Sequence, residues 1–237
     1  MDLGIEGKVA LVTAASKGLG RGAALALSQE GVRVVICARD PERLAATAAE
    51  LGGETLAIPA DVTEAEAPDR LVSAAIERFG ALHIVVANAG GPPQARALEV
   101  EDAPMLAAVN ANMLTSIRLV KAAVPHMREA GWGRIALITS AAVKQPIPTL
   151  AYSNAARTGL WAWAKTAAID LAPDGITLNV VAPGLHATDR VRELGLTGPM
   201  GDPEDFGRVV AFLCSQAAAF VSGTAVQVDG AGTLGLL

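Results

Sequence analysis

The sequence has few cysteines and no long apolar run, and each shortage excludes a class of protein. Its 237 residues include two cysteines, Cys37 and Cys214, which lie far apart in apolar stretches. Two cysteines are too few for a disulfide framework or a zinc site, so we interpret them as small buried residues in a reducing compartment. Glycine and charged or amide residues interrupt every apolar run well before the roughly 18 residues that a membrane span needs. We therefore expect no membrane-spanning segment and no metal site.

Basic charge and targeting signals are also scarce. The 19 Lys and Arg residues are outnumbered by 24 Asp and Glu residues, the formal net charge is -5, and no basic stripe is present. This balance argues against a protein that binds nucleic acid. The start of the chain, MDLGIEGKVALVTAASKG, lacks the charged segment and cleavage site of a signal peptide. We therefore expect a cytoplasmic protein.

Apolar segments of strand length, in contrast, are abundant and alternate with helical segments. Hydrophobic residues make up 51% of the chain and charged residues 18%, which favours one well-buried domain over residues 1–237. The predicted strands are KVALVT, VRVVICA, ETLAIPADV, LHIVVANAG, RIALITS, ITLNVVAPG and TAVQVDG. Strands that are apolar on both faces and alternate with helices are typical of a parallel sheet covered on both sides. The predicted fold class is α/β, a doubly wound parallel sheet of the Rossmann type with about seven strands.

A loop of small residues, TAASKGLG, joins the first strand to an alanine-rich helix and runs from Thr13 to Gly20. Backbone amides in such a loop, together with the helix N-terminus behind them, can hold a pyrophosphate. Gly18 and Gly20 would permit the turn and a close approach of the phosphate. Glycines at a strand-to-helix turn can also be present only because the turn requires them. A dinucleotide site therefore needs support from other motifs.

Those other motifs follow in order, and with the glycine loop they resemble the short-chain dehydrogenase/reductase family, in particular its 3-oxoacyl carrier-protein reductases. They are Asp61-Val62, Asn88-Ala89-Gly90, Asn112 before MLTSIRL, Ser140, Asn179 to Gly184 with Thr188, and the C-terminal VSGTAVQVDGAG. The resemblance covers essentially the whole chain. It implies an oxidoreductase that binds a nicotinamide cofactor and acts on the carbonyl group of a small-molecule or carrier-bound substrate. One departure is Ala14, which stands where the family usually has its first glycine; its methyl group fits if the backbone angles are ordinary.

The resemblance also implies which residues contact the cofactor. They are Thr13, Ala15, Ser16, Lys17, Gly18, Leu19 and Gly20 in the loop, Arg39, Asp61, Val62, Asn88, Ala89 and Gly90 after the next strands, Arg157, and Pro183, Gly184, Leu185 and Thr188 near the nicotinamide.

Charge at the end of the second strand favours NADP(H) over NAD(H). An NAD enzyme usually offers a carboxylate to the adenosine ribose at that point. Here the strand ends in Cys-Ala-Arg39, and Lys17 lies in the glycine loop, so two cations could flank a 2′-phosphate. The alternative is that Asp40 serves the ribose, but it precedes Pro41 and more simply caps the next helix.

The catalytic residues implied by the family are only partly present. In the family a Ser and a Tyr share the substrate oxygen, a Lys four residues after the Tyr makes it a working acid and holds the ribose, and an Asn orders a water relay. Ser140 and Asn112 match. The Tyr-x-x-x-Lys element is absent, because Ala156 follows Tyr152 at the lysine spacing.

A second alignment places Ser153 at the tyrosine position and Arg157 at the lysine position. Ser153 lies thirteen residues after Ser140, which agrees with the family spacing. On a regular helix Ser153 and Arg157 share a face, whereas Tyr152 and Arg157 are about 140° apart. The candidate catalytic residues are therefore Asn112, Ser140, Tyr152, Ser153 and Arg157.

Three functions remain open from the sequence. The first is an NADPH-dependent reductase of a ketone, a 3-oxoacyl group or a conjugated carbonyl, with altered proton delivery from Tyr152, Ser153, water or Lys144. The second is a nucleotide-binding sensor or oligomer partner without turnover, and the third is another chemistry, such as that of a lyase or epimerase, on the same scaffold.

Two further expectations concern the surroundings of the site. Residues 189–203 form a short substrate lid, and His186 borders the nicotinamide pocket as a substrate contact. The helix that carries Trp161 and Trp163 packs, in this family's arrangement, against another subunit, so we expect a homo-oligomer, a dimer or a tetramer.

Overall fold

A computed structural model describes residues 2–235. Seven strands form one sheet: β1 (Val9–Val12), β2 (Arg33–Ala38), β3 (Thr55–Pro59), β4 (Ile84–Ala87), β5 (Gly133–Ile138), β6 (Ile176–Pro183) and β7 (Ala225–Val228). The helices are α1 (Gly18–Gln29), α2 (Pro41–Leu51), α3 (Ala67–Phe79), α4 (Asp102–Val109), α5 (Thr115–Glu129), α6 (Ala151–Leu171), α7 (Asp189–Glu193) and α8 (Pro203–Leu213).

The sheet has the order β3-β2-β1-β4-β5-β6-β7, and every neighbouring pair is parallel. Its central strands are buried on both faces, as their uninterrupted apolar sequences predict. The predicted α/β fold with seven parallel strands is therefore confirmed.

Two apolar cores lie on opposite faces of the sheet. On one face, residues of α3, α5 and α6 such as Leu71, Leu119 and Leu160 pack against the strands. On the other face, residues of α1, α2 and α8 such as Leu27, Leu44 and Phe206 do so. This double cover leaves the strand ends as the place where loops and polar groups collect.

The helical region from Asp102 to Glu129 is not one regular helix. Residues Asn110–Leu114 form a π-helical turn between α4 and α5, and Pro125 lies inside α5. π-Turns leave some backbone groups without their usual partners and occur often at functional sites. This one contains Asn112.

No helix within residues 2–235 is both long enough and apolar enough to cross a lipid bilayer.

Candidate active site

The candidate site lies where the strand order of the sheet reverses, between the carboxyl ends of β1 and β4. The Thr13 backbone nitrogen donates to the Val86 oxygen at 3.1 Å. The Thr13 hydroxyl donates to the Asn88 oxygen at 2.8 Å and accepts from the Asn88 nitrogen at 2.8 Å. These bonds tie the glycine loop to the loop after β4. Ligands of open α/β sheets bind in the crevice at such a point.

The glycine loop is built to bring backbone amides to an anion. Helix α1 begins at Gly18, and Lys17 at its N-cap makes no side-chain capping bond, so the amides of the first turn remain available. A Cβ atom on Gly20 would lie 2.5 Å from the Ala14 oxygen, so the loop closes tightly only because that atom is missing. Both features fit the pyrophosphate of a dinucleotide.

Ala14 does not have the ordinary backbone angles that its methyl group requires. Its φ angle is +48°, in the left-handed region that favours glycine. An L-residue pays roughly 1–2 kcal/mol for this conformation. The condition on which the alanine would fit without strain is therefore not met, and the loop carries local strain at Ala14. The Ala14 oxygen accepts a bond from the Asn88 side chain at 3.3 Å.

The loop after β6 comes close to the glycine loop. A Cβ on Gly18 would lie 3.3 Å from the Thr188 methyl carbon, so residues predicted to hold the pyrophosphate and the nicotinamide side share one cleft. The Thr188 hydroxyl caps α7, and Gly184 packs so closely on Asp229 that a Cβ would lie 2.7 Å from it. Beside β4, in contrast, a Cβ on Gly90 would meet open space.

The remaining predicted cofactor residues lie at the same carboxyl edge or just behind it. Ala15 is buried, and its backbone nitrogen donates to the Cys37 oxygen. The Ser16 backbone oxygen accepts from the Thr47 hydroxyl, and the Leu185 backbone oxygen accepts from the Gly201 nitrogen. Val62 packs against the core cluster that contains Leu71. Leu19 packs on the other core cluster, Ala89 accepts from Arg157, and Pro183 ends β6.

The two cations expected to bind a 2′-phosphate are paired with carboxylates. The Lys17 amine lies 3.4 Å from Asp189 and 3.9 Å from Glu193, both on α7. Arg39 is 81% exposed at its side chain and lies 4.0 Å from Asp61. Since each pair is open to solvent, a stronger anion can compete for either cation.

A third cation, Arg43, was not predicted from the sequence. It lies on α2, 3.3 Å from Asp40 and 3.8 Å from Asp189, and so faces the same carboxylate as Lys17. Asp40 accepts from the Arg43 nitrogen at 3.1 Å as the N-cap of α2, which confirms the capping interpretation of Asp40. The only sequence signal for Arg43 was its position in the first turn after the second strand.

Asp61 is held in place by its own turn. One carboxylate oxygen accepts from the Thr63 nitrogen at 2.9 Å and from the Thr63 hydroxyl at 2.7 Å. The Thr63 backbone bond is the main cause that lowers the pKa of Asp61, with the Thr63 hydroxyl and Arg39 adding to it. The other oxygen faces Arg39.

Helix α6 is regular from Ala151, which decides how its polar residues are arranged. Ser153 and Arg157 lie one turn apart on one face, and both are buried. The Tyr152 side chain is also buried, but its hydroxyl oxygen accepts a bond from the Glu101 backbone nitrogen at 3.0 Å, at the start of α4. The phenol is therefore engaged with the neighbouring helix.

Arg157 is a buried cation with neutral partners. Its guanidinium donates to the Ile138 oxygen at 3.0 Å and to the Ala89 oxygen at 3.5 Å, and thus spans the ends of β5 and β4. Burial, and then the like charge of Arg190, lower the pKa of Arg157 to about 10. The group remains positively charged at neutral pH.

Ser140 and Asn112 have polar capacity that protein contacts leave unused. The Ser140 hydroxyl oxygen accepts from the Ala142 nitrogen at 3.2 Å, so its own proton remains available for donation. The Asn112 amide nitrogen donates to the Ala108 oxygen at 3.3 Å, while its side-chain oxygen is buried without a partner among residues 2–235. A buried unpaired acceptor calls for a ligand or a water molecule.

Two other residues singled out in the sequence have structural contacts instead. The imidazole of His186 is buried, with Nδ1 3.2 Å from the Gly184 oxygen and the ring edge-on to Phe206 at 5.2 Å. The Lys144 amine lies over the Trp161 ring, 4.5 Å from its centroid. The His186 ring is therefore held by packing contacts, and its role as a substrate contact stays a prediction.

Arg190 is a polar residue of this region that sequence reasoning missed. It lies on α7 in the predicted lid, and its Nη2 donates to the Pro92 oxygen at 2.6 Å. The segment DRVRE that carries it has four charged residues among the five that follow Thr188, which was a signal for polar contacts across the cleft.

The fold and the cleft define a dinucleotide-binding α/β protein, and the relatives of the chain name the family. Residues 8–197 match the sequence profile of the short chain dehydrogenase family. The chain is 33% identical over 243 residues to dehydrogenase/reductase SDR family member 4 of Sus scrofa, with 95% of the chain and 87% of that protein covered. It is 34% identical over 239 residues to the 3-oxoacyl-[acyl-carrier-protein] reductase of Synechocystis sp., covering 95% and 97%.

A solved structure agrees over the whole chain. The structure of L-sorbose reductase from Gluconobacter frateurii, in complex with NADPH and L-sorbose, superposes with a TM-score of 0.93 at 30% identity and covers 100% of both chains. The protein belongs to the short-chain dehydrogenase/reductase family and is an oxidoreductase of that family.

Proposed function

We propose that the protein uses NADPH to reduce the carbonyl group of a small-molecule or carrier-bound substrate, and that it supplies the proton without a tyrosine. The observation that carries this proposal is the Arg157 guanidinium, fixed between the ends of β4 and β5 and one turn from Ser153. A bound nicotinamide would supply the hydride. The protein's own residues must then stabilise and protonate the substrate oxygen.

The buried charge of Arg157 suits the first of these tasks. In a site shielded from water, a fixed positive charge stabilises negative charge on oxygen far more than it would in solvent. Ser140, whose proton is available, and Ser153 are the hydroxyls that would donate to the carbonyl oxygen. Arg157 would also hold the ribose hydroxyls, where lysine does so in other family members.

Proton delivery would pass through water. Tyr152 is the only tyrosine in the sequence. Its hydroxyl accepts a bond from Glu101 and keeps its own proton, but Tyr152 lies about 140° around α6 from Arg157, so the cation that would make a phenol acidic lies on another face of the helix. The unpaired oxygen of Asn112, in the π-helical turn beside α6, would anchor an ordered water that reprotonates the serine hydroxyls.

NADP(H) is the cofactor that the cations favour. Lys17, Arg39 and Arg43 surround the end of β2, where a 2′-phosphate would lie, and Asp40 is used as a helix cap. Titration of NADPH and of NADH against tryptophan fluorescence tests this. We expect clearly tighter binding of NADPH, and equal affinities would contradict the assignment.

The reaction itself is tested by NADPH oxidation with a panel of ketones, oxo acids, 3-oxoacyl thioesters and enones. We expect turnover with at least one substrate, a fall of at least about 10-fold for Ser153→Ala, and a smaller effect for Tyr152→Phe. Activity that depends on Tyr152 and not on Ser153 would overturn the proposed proton path.

A second candidate, nucleotide binding without turnover, is favoured by one observation. The hydroxyl one turn before Arg157 belongs to serine, a much weaker acid than a phenol. Tight NADPH binding with no oxidation by any substrate of the panel would select this candidate.

We further propose a homo-oligomer. Leu98 and Phe220 are fully exposed and Ile169, on α6, is two-thirds exposed, which is costly for large apolar side chains on a monomer. Light scattering coupled to size exclusion gives the oligomeric state, and a monomer at micromolar concentration would contradict the proposal.

A further inference from the structure

Two arginines from different helices converge on the loop that follows β4. Arg157, on α6, donates to the Ala89 oxygen, and Arg190, on α7, donates to the Pro92 oxygen. The Arg190 guanidinium also packs against Gly91, where an added Cβ atom would lie 3.1 Å from the Arg190 Nε. The two guanidiniums therefore bind the two ends of one four-residue segment, 89–92.

Within residues 2–235, no carboxylate oxygen lies closer than 4.0 Å to either guanidinium. The bonds of Arg157 go to backbone carbonyls, and the charged group that acts on it is Arg190, which has the same sign. Arg190 has one carboxylate near it, Glu193 at 4.0 Å, in a pair that is open to solvent. Such exposed i,i+3 pairs contribute little. A third group with negative charge between the two guanidiniums would relieve their repulsion.

The position of this pair points to the substrate and not to the cofactor phosphates. The groups that would bind the cofactor phosphates are the backbone amides of α1, Lys17 and Arg39, which lie at the ends of β1 and β2. The arginine pair lies instead at the ends of β4 and β5, and Ser140 lies two residues after the end of β5. The anion would therefore lie next to the carbonyl group that Ser140 binds.

We propose that the substrate is an oxo acid, whose carboxylate is bound by Arg190 within the field of Arg157 while its carbonyl oxygen faces Ser140. A guanidinium offers parallel N–H groups that match a carboxylate, and such charge-assisted bonds are the stronger ones. This inference rests on the proposed reductase function. It distinguishes free oxo acids from neutral ketones and from thioesters, whose carbonyl neighbourhood carries no charge.

The test compares 2-, 3- and 4-oxo acids with their methyl esters at saturating NADPH. We expect at least one acid to be reduced with a kcat/KM about 10- to 100-fold above that of its ester, mainly through a lower KM. Arg190→Met should remove this preference by lowering the kcat/KM of the acid to about that of its ester, whereas Arg190→Lys should keep part of it. Arg192→Met, which removes an exposed charge from the same helix, is the matched control and should keep the preference.

The outcomes separate this inference from the function on which it rests. Equal rates for acids and esters would overturn the inference and leave the reductase standing. If no acid or ester is reduced although NADPH binds, the reductase function fails and the inference fails with it. A weaker NADPH affinity of Arg190→Met, with an unchanged acid-to-ester ratio, would assign Arg190 to a cofactor phosphate and also overturn the inference.

Discussion

The hydroxyl oxygen of Tyr152 lies 3.0 Å from the backbone nitrogen of Glu101 and accepts its hydrogen bond. The two residues are 51 positions apart, and the bond fixes the first turn of α6 to the residue that precedes α4. The tyrosine that a sequence comparison would choose as the catalytic acid thus has a structural contact of its own.

This contact predicts that Tyr152→Phe is mainly a stability variant. Loss of the acceptor should lower the free energy of unfolding by about 1 kcal/mol, since the Glu101 amide loses its partner. NADPH oxidation by the folded enzyme should change less than about threefold. Urea unfolding and steady-state kinetics measure the two effects. Ser153→Ala should instead lower the rate of NADPH oxidation and change the free energy of unfolding less. A large loss of kcat at unchanged stability in Tyr152→Phe would contradict this prediction.

The ion pairs of Asp189 predict an effect on cofactor binding. A hydrogen bond from Arg192 and then one from Lys17 hold the pKa of Asp189 below its usual value, so the carboxylate is charged at neutral pH and competes for Lys17 and Arg43. Asp189→Asn should therefore tighten NADPH binding about two- to fivefold and leave NADH binding unchanged. Fluorescence titration at low and high salt measures this.

The control for that experiment is Asp205→Asn, which removes an exposed carboxylate paired with Arg208 on α8. It should leave both affinities unchanged. An equal gain in NADPH affinity from both variants would mean that net charge, and not competition at Lys17, is responsible.

The left-handed conformation of Ala14 predicts that Ala14→Gly is stabilising. Relief of the strain outweighs the added chain entropy of the unfolded state by about 0.5–1 kcal/mol. Ala15→Gly is the matched control, because Ala15 is fully buried and has no positive φ angle. It should lower the free energy of unfolding by about 1 kcal/mol. Chemical denaturation of the three proteins decides, and a destabilised Ala14→Gly would show that the alanine is not strained.

Burial predicts that both cysteines are inert. Desolvation raises the pKa of Cys37 to about 12 and that of Cys214 to about 12, so both remain protonated at pH 8, where a thiolate is needed for reaction. A thiol reagent should label neither over minutes in the native protein and both after denaturation in guanidinium. Rapid labelling of either cysteine in the native protein would contradict the buried placement.

Much of the fold follows from local sequence patterns. Continuous apolar runs such as Val9–Val12 and Ile84–Ala87 cannot lie at a surface, so they predict central parallel strands. The shared face of Ser153 and Arg157 follows in the same way, because helix periodicity is a local property. The roles of these residues in catalysis and cofactor binding, and the cytoplasmic location, stay predictions.

Contacts between distant parts of the chain are decided by the tertiary structure alone. Arg190 and Pro92 are 98 positions apart, and no periodicity relates them; their bond depends on how two loops leave β4 and β6. The same holds for Tyr152 with Glu101. The strain of Ala14 likewise comes from closure of the loop against Asn88 and Gly20, which its sequence does not reveal. Sequence alone determined the parallel sheet, the alternation of its strands with helices and the family, because these depend on local patterns. The folded chain decided which side chains meet across the cleft, because that depends on where its loops bring them.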